Sequence, residues 1–305
     1  MTLSVITNPF AGGGRAAREL NGVEAALRRL GLEHHVERTR SLDHARELAL
    51  AAAEAGETAV AFGGDGLIGA VADALRDTEG TLGVLPGGRG NDFVRMLGIP
   101  GSPQAACEVL AHGEVRRLDL GIIGDRSFIG IASCGFDSEA NRIANETTLV
   151  RGRLVYAYGL LRALAGWRPA TFTISVDGGP ARTVTGYTVA VANSRYYGGG
   201  MMLAPDATLQ DGILDVVLIL KTPKLRFLRK APAVFTGAHV RLDNVELLRG
   251  RAIEVSASRA FTMYADGDPI ADLPVTVVVQ PGAIRTLVPA TMPSPATPAT
   301  PATAA

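Results

Sequence analysis

Three stretches of this chain combine glycine with polar and charged residues in a way that suits phosphate chemistry. Gly63-Gly64-Asp65-Gly66 follows an apolar run and opens a helical one. Glycines there let backbone N–H groups approach phosphate oxygens with no Cβ in the way. The following helix points its positive N-terminal end at the same place. Asp65 repels an anion unless a cation mediates, or unless its carboxylate takes a proton from an attacking hydroxyl. Taken alone, the sequence also fits a plain helix N-cap after a tight turn. Leu85–Phe93 adds Gly87, Gly88, Arg89, Gly90, Asn91 and Asp92, and Asn8–Arg15 adds Gly12, Gly13 and Gly14. Three such loops at one sheet edge would cradle a nucleotide triphosphate jointly. Arg15 and Arg89 are candidate phosphate clamps, or ordinary surface arginines.

Two further constellations come later. Tyr196–Gly200 precedes Ala204-Pro205-Asp206 and Asp211-Gly212-Ile213-Leu214-Asp215, and Asp266-Gly267-Asp268 reads as a hairpin tip whose second acid could face the loops above. Each is also compatible with plain turn chemistry.

The elements that must position these residues change character along the chain. Up to about residue 115 the pattern is βαβα: strands at Leu3–Thr7, Glu33–Arg38, Thr58–Phe62 and Thr81–Leu85, and helices at Arg15–Leu30, Leu42–Glu54 and from Gly66 to Arg76. That rhythm predicts a parallel, Rossmann-like α/β domain with ligand loops at the strand C-termini. From residue 116 strands dominate: Arg116–Ile123, Arg126–Cys134, Ala170–Val176, Ala181–Asn193, Ile213–Lys221, Arg251–Ala257, Phe261–Ala265 and Val275–Val279. Asp177-Gly178 and Asp266-Gly267 carry tight-hairpin signals. This half predicts an antiparallel β-sandwich interrupted by a helix at Leu154–Ala165. The expected organisation is residues 1–115, 116–289 and an Ala/Pro/Thr tail at 290–305 without a core-forming pattern.

Composition narrows the function. The 305 residues carry 30 Lys+Arg and 30 Asp+Glu, so no global field favours nucleic acid. The 36 glycines exceed the usual share of roughly 7%. Cys107 and Cys134 form no metal-like or redox-like pair and read as small buried hydrophobes. No apolar run approaches the roughly 18 residues of a membrane span. The expectation is a cytoplasmic protein that visits the membrane peripherally if it handles a lipid.

In order, NPFAGGG, GGDG, LPGGRGNDFVR, the GGG…AP…DGILD stretch and the late DGD resemble the diacylglycerol kinase-like lipid kinases, which include soluble bacterial diacylglycerol kinases and sphingosine kinases. The resemblance covers about residues 1 to 288. GGDG alone is shared with NAD kinases; together with LPxGxxNDF and the late acidic motif it is specific. It implies an NAD kinase/diacylglycerol kinase type α/β domain, a β-sandwich and an active site in the cleft between them. It implies ATP and Mg²⁺, and a lipid alcohol as acceptor. By motif position, Asn8, Gly12, Gly13 and Gly14 belong to the first phosphate loop, and Thr39 sits near the nucleotide. Gly63, Gly64, Gly66 and Leu67 hold the phosphates around a catalytic Asp65; Gly87, Gly88, Arg89, Asn91 and Asp92 complete the nucleotide site. Asp211 corresponds to a Mg²⁺ ligand, and Asp268 to the acid that activates the lipid hydroxyl.

Four positions depart from the family pattern. Leu67 stands where many members have Thr, though sphingosine kinase-like members also have Leu. Gly69 replaces Asn, and Arg89 replaces Thr or Ser. Asp268 replaces Glu and reaches about 1.5 Å less far. An NAD kinase, a soluble-alcohol kinase and a nucleotide- or lipid-binding homologue of weak activity are the alternatives. The stretch Lys221–Lys230, KTPKLRFLRK, could lie on an anionic membrane, or form a solvated helix that packs Leu225 and Leu228 inward. The oligomeric state is open, and a homodimer is compatible with the sequence.

Overall fold

The computed structural model describes residues 1–9, 11–146, 162–164 and 166–292. Most of the expected helix at Leu154–Ala165, of which residues 162–164 are described and helical, and most of the expected tail lie outside these residues.

Four parallel strands organise the first part, in the order β2 (Glu33–Arg38), β1 (Thr2–Thr7), β3 (Thr58–Gly63), β4 (Thr81–Pro86). β3 is buried along its length, as a central strand must be, and its sequence TAVAFG is apolar and small. Helices α1 (Ala11–Arg29), α2 (Leu42–Glu54) and α3 (Asp65–Leu75) connect them. Ser41 caps α2 by accepting the His44 N–H at 3.0 Å. The chain passes from β1 to β2 on one side and then returns to place β3 on the other. The loops after β1 and β3 therefore flank a topological switch point, where open α/β sheets bind ligands.

Two helices follow β4: α4 (Asp92–Met96) and α5 (Pro103–His112). Ser102 caps α5 ahead of a proline in its first turn. The antiparallel part then begins with β5 (Glu114–Ile123), β6 (Arg126–Phe128), β7 (Ile131–Gly135) and helix α6 (Phe136–Glu146). It continues through β8 (Ala170–Val176), β9 (Arg182–Ala192), the small pair β10 (Tyr196–Tyr197) and β11 (Met201–Met202), and β12 (Leu214–Leu220). Helix α7 (Lys224–Lys230), two short 3₁₀ turns and β13 (Val245–Gly250) come next, and β14 (Ala252–Ala257), β15 (Thr262–Ala265), β16 (Asp268–Asp272) and β17 (Val275–Val288) complete the fold. The residues expected to form hairpin turns do so: Asp177 and Asp266 both take φ +52°, each followed by a left-handed glycine.

Four expectations are corrected. Arg126–Cys134 is not one strand but β6 and β7, separated at Ile129-Gly130. The last strand runs to Val288, not Val279. It pairs with β14 and β5, and its distal half lies parallel to β4 through Arg285 and Thr286. β17 thus carries one sheet from the parallel part into the antiparallel part, and Ile284, Leu287 and Val288 are buried with Leu82, Leu110 and Leu118 in one core. The chain folds back into its own first domain, so the seam is not a single cut at residue 115. Finally, α7 buries none of its residues: Leu225 is 72% exposed, and Phe227 is the residue that packs inward.

Both cysteines are buried free thiols, and burial pushes Cys107 up to about 11. No helix among the described residues is long and apolar enough to cross a membrane.

Candidate active site

The glycine loops meet backbone to backbone. Gly87 N–H donates to the Gly63 carbonyl at 2.8 Å. A Cβ on Gly88 would stand 2.4 Å from the Gly64 Cα, and one on Gly87 would stand 3.0 Å from the Gly63 Cα and 3.1 Å from the Ala16 Cβ. Only glycine permits these approaches. Arg89 is exposed and reaches over the first loop, its Nη2 3.6 Å from where a Cβ would lie on Gly13. The loops after β1, β3 and β4 therefore form one rim.

That rim is rich in peptide N–H groups. Helix α3 starts at Asp65 with Gly64 as N-cap and no side-chain cap. Leu67 and Ile68 donate to the Gly64 carbonyl, while the N–H groups of Asp65 and Gly66 precede the first intrahelical acceptor and point toward an anion at the helix start. Gly13 and Gly14 hold φ +69° and +84° at the start of α1.

Carboxylates gather at the same rim. Asp65 Oδ1 accepts the Phe93 N–H at 3.0 Å. A Cβ on Gly90 would lie 3.0 Å from Asp65 Oδ2 and 3.5 Å from Asp92 Oδ2. Asp268 comes from the β15–β16 hairpin, its Oδ2 4.0 Å from where a Cβ would lie on Gly66. The shorter acid thus still faces the first turn of α3. Asp268 and Asp65 belong to opposite parts of the chain, and Asp268 reaches the helical turn that Asp65 opens.

Other expected nucleotide contacts point inward instead. Asn91, in a left-handed conformation, accepts the Gly88 N–H at 2.9 Å and donates to the Gly88 carbonyl at 3.1 Å, so its side chain locks the loop. Asp92 is buried; it accepts the Gly199 N–H at 2.7 Å and an Arg95 N–H at 2.5 Å. Burial, with the charge of Asp65, pushes its carboxyl upward. Thr39 is buried beside the end of β1, and its hydroxyl donates to the Ser41 carbonyl. Leu67 packs beneath Gly63 in the core. These residues shape the rim. Asn8 follows β1 half-buried, and Gly12 lies in the opening of α1. Arg15 is not at the rim; it donates to the Gly101 carbonyl at 3.2 Å, while Arg18 bonds the Gly13 carbonyl.

Sequence reasoning missed Asp266. Its two oxygens accept the Ile129 and Gly130 N–H groups at 2.8 and 2.9 Å, which anchors the β15–β16 hairpin at the β6–β7 break. Burial, aided by the charge of Asp65, raises it to about 7. Its Oδ2 lies 3.7 Å from where a Cβ would stand on Gly69. The available signal was the break itself, marked only by Gly130.

Asp211 does not reach the rim. Arg249 clasps it and Asp215, with Nη2 2.7 Å from Asp211 Oδ2 and Nε 2.9 Å from Asp215 Oδ1. The other Asp211 oxygen accepts the Ile213 N–H. A carboxylate so engaged does not fit the role of a metal ligand, and no metal-binding cluster of three or more His, Cys, Asp or Glu occurs among the described residues. Asp65, with an oxygen toward the loops and hard oxygen chemistry, fits a cation carried on a triphosphate.

A cavity of about 430 Å³ lies beside the same hairpin, lined by Ile143, Ala163, Trp167, Phe261 and Tyr264 among others. Tyr264 pairs with Ser133 across β15 and β7, two residues before Asp266.

Comparison with known proteins agrees with this fold. The diacylglycerol kinase catalytic domain family matches residues 2–123, and the YegS C-terminal NAD kinase beta sandwich-like domain matches residues 130–288. A protein of Mycobacterium tuberculosis (strain CDC 1551 / Oshkosh) named diacylglycerol kinase is 35% identical over 296 residues, covering 94% of this chain and 95% of that protein. A crystal structure of a diacylglycerol kinase from Bacillus anthracis superposes with a TM-score of 0.74 at 19% identity, covering 95% of this chain and 98% of the other. An NAD kinase from Archaeoglobus fulgidus, solved with ATP, shares the fold at a TM-score of 0.53 and 15% identity, over 96% and 95% of the two chains.

Proposed function

The chain belongs to the diacylglycerol kinase family, and from that membership we propose that it transfers the γ-phosphoryl group of ATP to the hydroxyl of a membrane lipid such as diacylglycerol or a sphingoid-like alcohol. The observation that carries the reading is the approach of Asp268 to Gly66 in the first turn of α3, next to Asp65 in sequence, at the rim where the glycine loops meet.

Phosphoryl transfer asks the protein mainly for position and charge stabilisation. The N–H groups at Gly64–Gly66 would bind the phosphate oxygens, with the Gly87–Gly88 backbone packed against them, and Arg89 would lie along them over Gly13. Mg²⁺ bound with the triphosphate supplies further neutralisation of its charge, and Asp65 would hold it. The acceptor oxygen bonds to the γ-phosphorus as the bond from that phosphorus to the bridging oxygen breaks, and ADP leaves. Asp268 takes the hydroxyl proton as general base and passes it to solvent. The cavity beside Tyr264, where Trp167 and Phe261 stand among Arg162, Arg168 and Arg259, would receive part of the acceptor lipid next to the hairpin that carries Asp268. Such an enzyme works at a membrane surface, which a cytoplasmic protein would contact transiently.

The test is turnover of labelled ATP against a panel of detergent-dispersed lipid alcohols, with NAD included. A lipid alcohol should be phosphorylated. Asp268→Asn should lower the rate by about 10²–10⁴-fold, with Asp268→Glu retaining most of it. A folded preparation that phosphorylates NAD and no lipid would overturn the proposal.

A further inference from the structure

The chain is neutral overall, but its charge is not evenly spread. Between residues 221 and 242 lie Lys221, Lys224, Arg226, Arg229, Lys230 and Arg241, and no Asp or Glu. Asp243 pairs with both Arg226 and Lys230, so even this cluster keeps one surplus positive charge.

The same segment exposes large apolar side chains. Leu225 is 72% exposed, Phe235 59% and Leu228 36%. A single exposed leucine needs no explanation. Three large apolar groups within eleven residues, interleaved with cations, do. Leu225 and Leu228 stand one turn apart on α7, on the same side. Phe227 points the other way, stacked on Tyr187 with ring centroids 4.4 Å apart and edge-on to Phe136 at 5.1 Å. The helix is therefore anchored through one aromatic residue, while its leucines and cations are presented outward.

What lies behind α7 gives this face its direction. Phe136 and Tyr187 contact Trp167, which with Phe261 lines the cavity beside the β15–β16 hairpin. The 3₁₀ turns after α7 rest on the sheet pair near the rim: a Cβ on Gly237 would meet Pro205 and the Met202 sulfur. Exposed leucines, aromatic cluster, cavity and hairpin follow one another inward.

We infer that α7 and the 3₁₀ turn Ala231–Thr236 form a docking surface for a lipid bilayer carrying anionic headgroups, with Leu225, Leu228 and Phe235 entering the interface and Lys221, Arg229 and Arg241 meeting the headgroup charge. A short amphipathic segment with these residue types is suited to lie in the interfacial plane. The charge complementarity selects an anionic bilayer over a neutral one. The inference rests on the lipid-kinase reading for its purpose, but the surface is testable without turnover.

The experiment is co-sedimentation of the full chain with vesicles of phosphatidylcholine containing phosphatidylglycerol, or of phosphatidylcholine alone. The protein should partition onto the anionic vesicles and lose that binding as salt rises. Leu225→Asp with Phe235→Asp, and separately Lys221→Glu with Arg229→Glu, should each weaken binding at least tenfold with an unchanged melting curve. Leu50→Asp, at an exposed apolar position on α2, should bind like the wild type. The docking variants should keep their rate on a short-chain acceptor in detergent and lose it on a vesicle-borne one. Wild-type indifference to anionic vesicles, or full binding by both double variants, would overturn the inference. So would a loss of self-association in the variants without any change in vesicle binding, because the face would then belong to a second copy. Binding that behaves as expected, in a protein that phosphorylates no lipid, would leave the surface standing and remove the kinase reading alone.

Discussion

The carboxylate of Asp92, at the start of α4, accepts the backbone N–H of Gly199 across the seam between the parallel and antiparallel parts of the fold, at 2.7 Å. The same carboxylate holds Arg95, whose guanidinium lies 5.6 Å from the centre of the Tyr196 ring. One buried acid therefore ties the fourth-strand loop to the glycine turn of the second part. Asp92→Ala should leave the Gly199 N–H and Arg95 without their acceptor and cost about 1–3 kcal/mol. Asp92→Asn should cost less, because the amide oxygen can keep the Gly199 bond. Urea denaturation curves of the two variants measure this, and equal midpoints for wild type and Asp92→Ala would disprove the latch.

Gly88 has no room for a side chain, because the Gly64 backbone occupies the space at 2.4 Å. Gly88→Ala must push the third- and fourth-strand loops apart. The expected cost is about 1–3 kcal/mol of stability, as for other overpacked sites, together with at least a tenfold loss of affinity for a non-hydrolysable ATP analogue. At Gly101 an added methyl would meet nothing within 4 Å, so Gly101→Ala serves as control. Calorimetric titration separates the two: comparable affinity in Gly88→Ala and Gly101→Ala would show that the loop contact does not organise the nucleotide site.

Much of this arrangement could be read in advance from local chemistry. Strands β1 to β4 and helix α2 carry clear periodicity, and Asp177-Gly178 and Asp266-Gly267 carry the residues that left-handed turns need. Other features depend on distant partners. β17 passes through Gln280-Pro281-Gly282, which reads as a strand end; in the fold it is an irregularity between Gln280 and Ile284 after which pairing with β5 resumes. β6 and β7 part because Asp266, 136 residues from Gly130, takes the N–H groups at the break. On α7 the spacing alone could not say which face packs; the aromatic cluster around Tyr187 decides it. In the site, loop positions were legible because glycine and charge coincide. The inward bonds of Asn91, Asp92 and Thr39 were not, because polar side chains look alike whether they bind a ligand or a neighbouring backbone group.

Asp266 should leave a mark on the pH dependence of stability. Its folded-state value of about 7 lies above the ordinary 3.8, so the folded protein binds this proton more tightly than the unfolded chain does. The contribution is fully present below about pH 4 and is lost as pH rises through 7, with a slope of at most about 1.4 kcal/mol per pH unit. Asp266→Asn removes the titration while keeping an oxygen acceptor for Ile129 or Gly130. The difference in stability between wild type and Asp266→Asn should therefore move against the wild type as pH rises from 5 to 8. Melting temperatures measured across that range check the sign, and a flat difference would place the Asp266 carboxyl at an ordinary value.

Arg249 bridges Asp211 and Asp215, pairing with one oxygen of each. A guanidinium carries its own charge to the pair and requires no ion from solution. Magnesium and chelator should then leave the melting temperature of the wild type unchanged in the absence of nucleotide. Arg249→Ala exposes the two acids to each other; burial already lifts Asp215 to about 6 despite the arginine. That variant should lose about 1–2 kcal/mol and should regain part of it in millimolar Mg²⁺, because two carboxylates without a cation are free to take one. Thermal melts of both proteins, with and without Mg²⁺, decide the point. Stabilisation of the wild type by Mg²⁺ that Asp211→Asn abolishes would show that the ion displaces Arg249 and that Asp211 is a metal ligand after all.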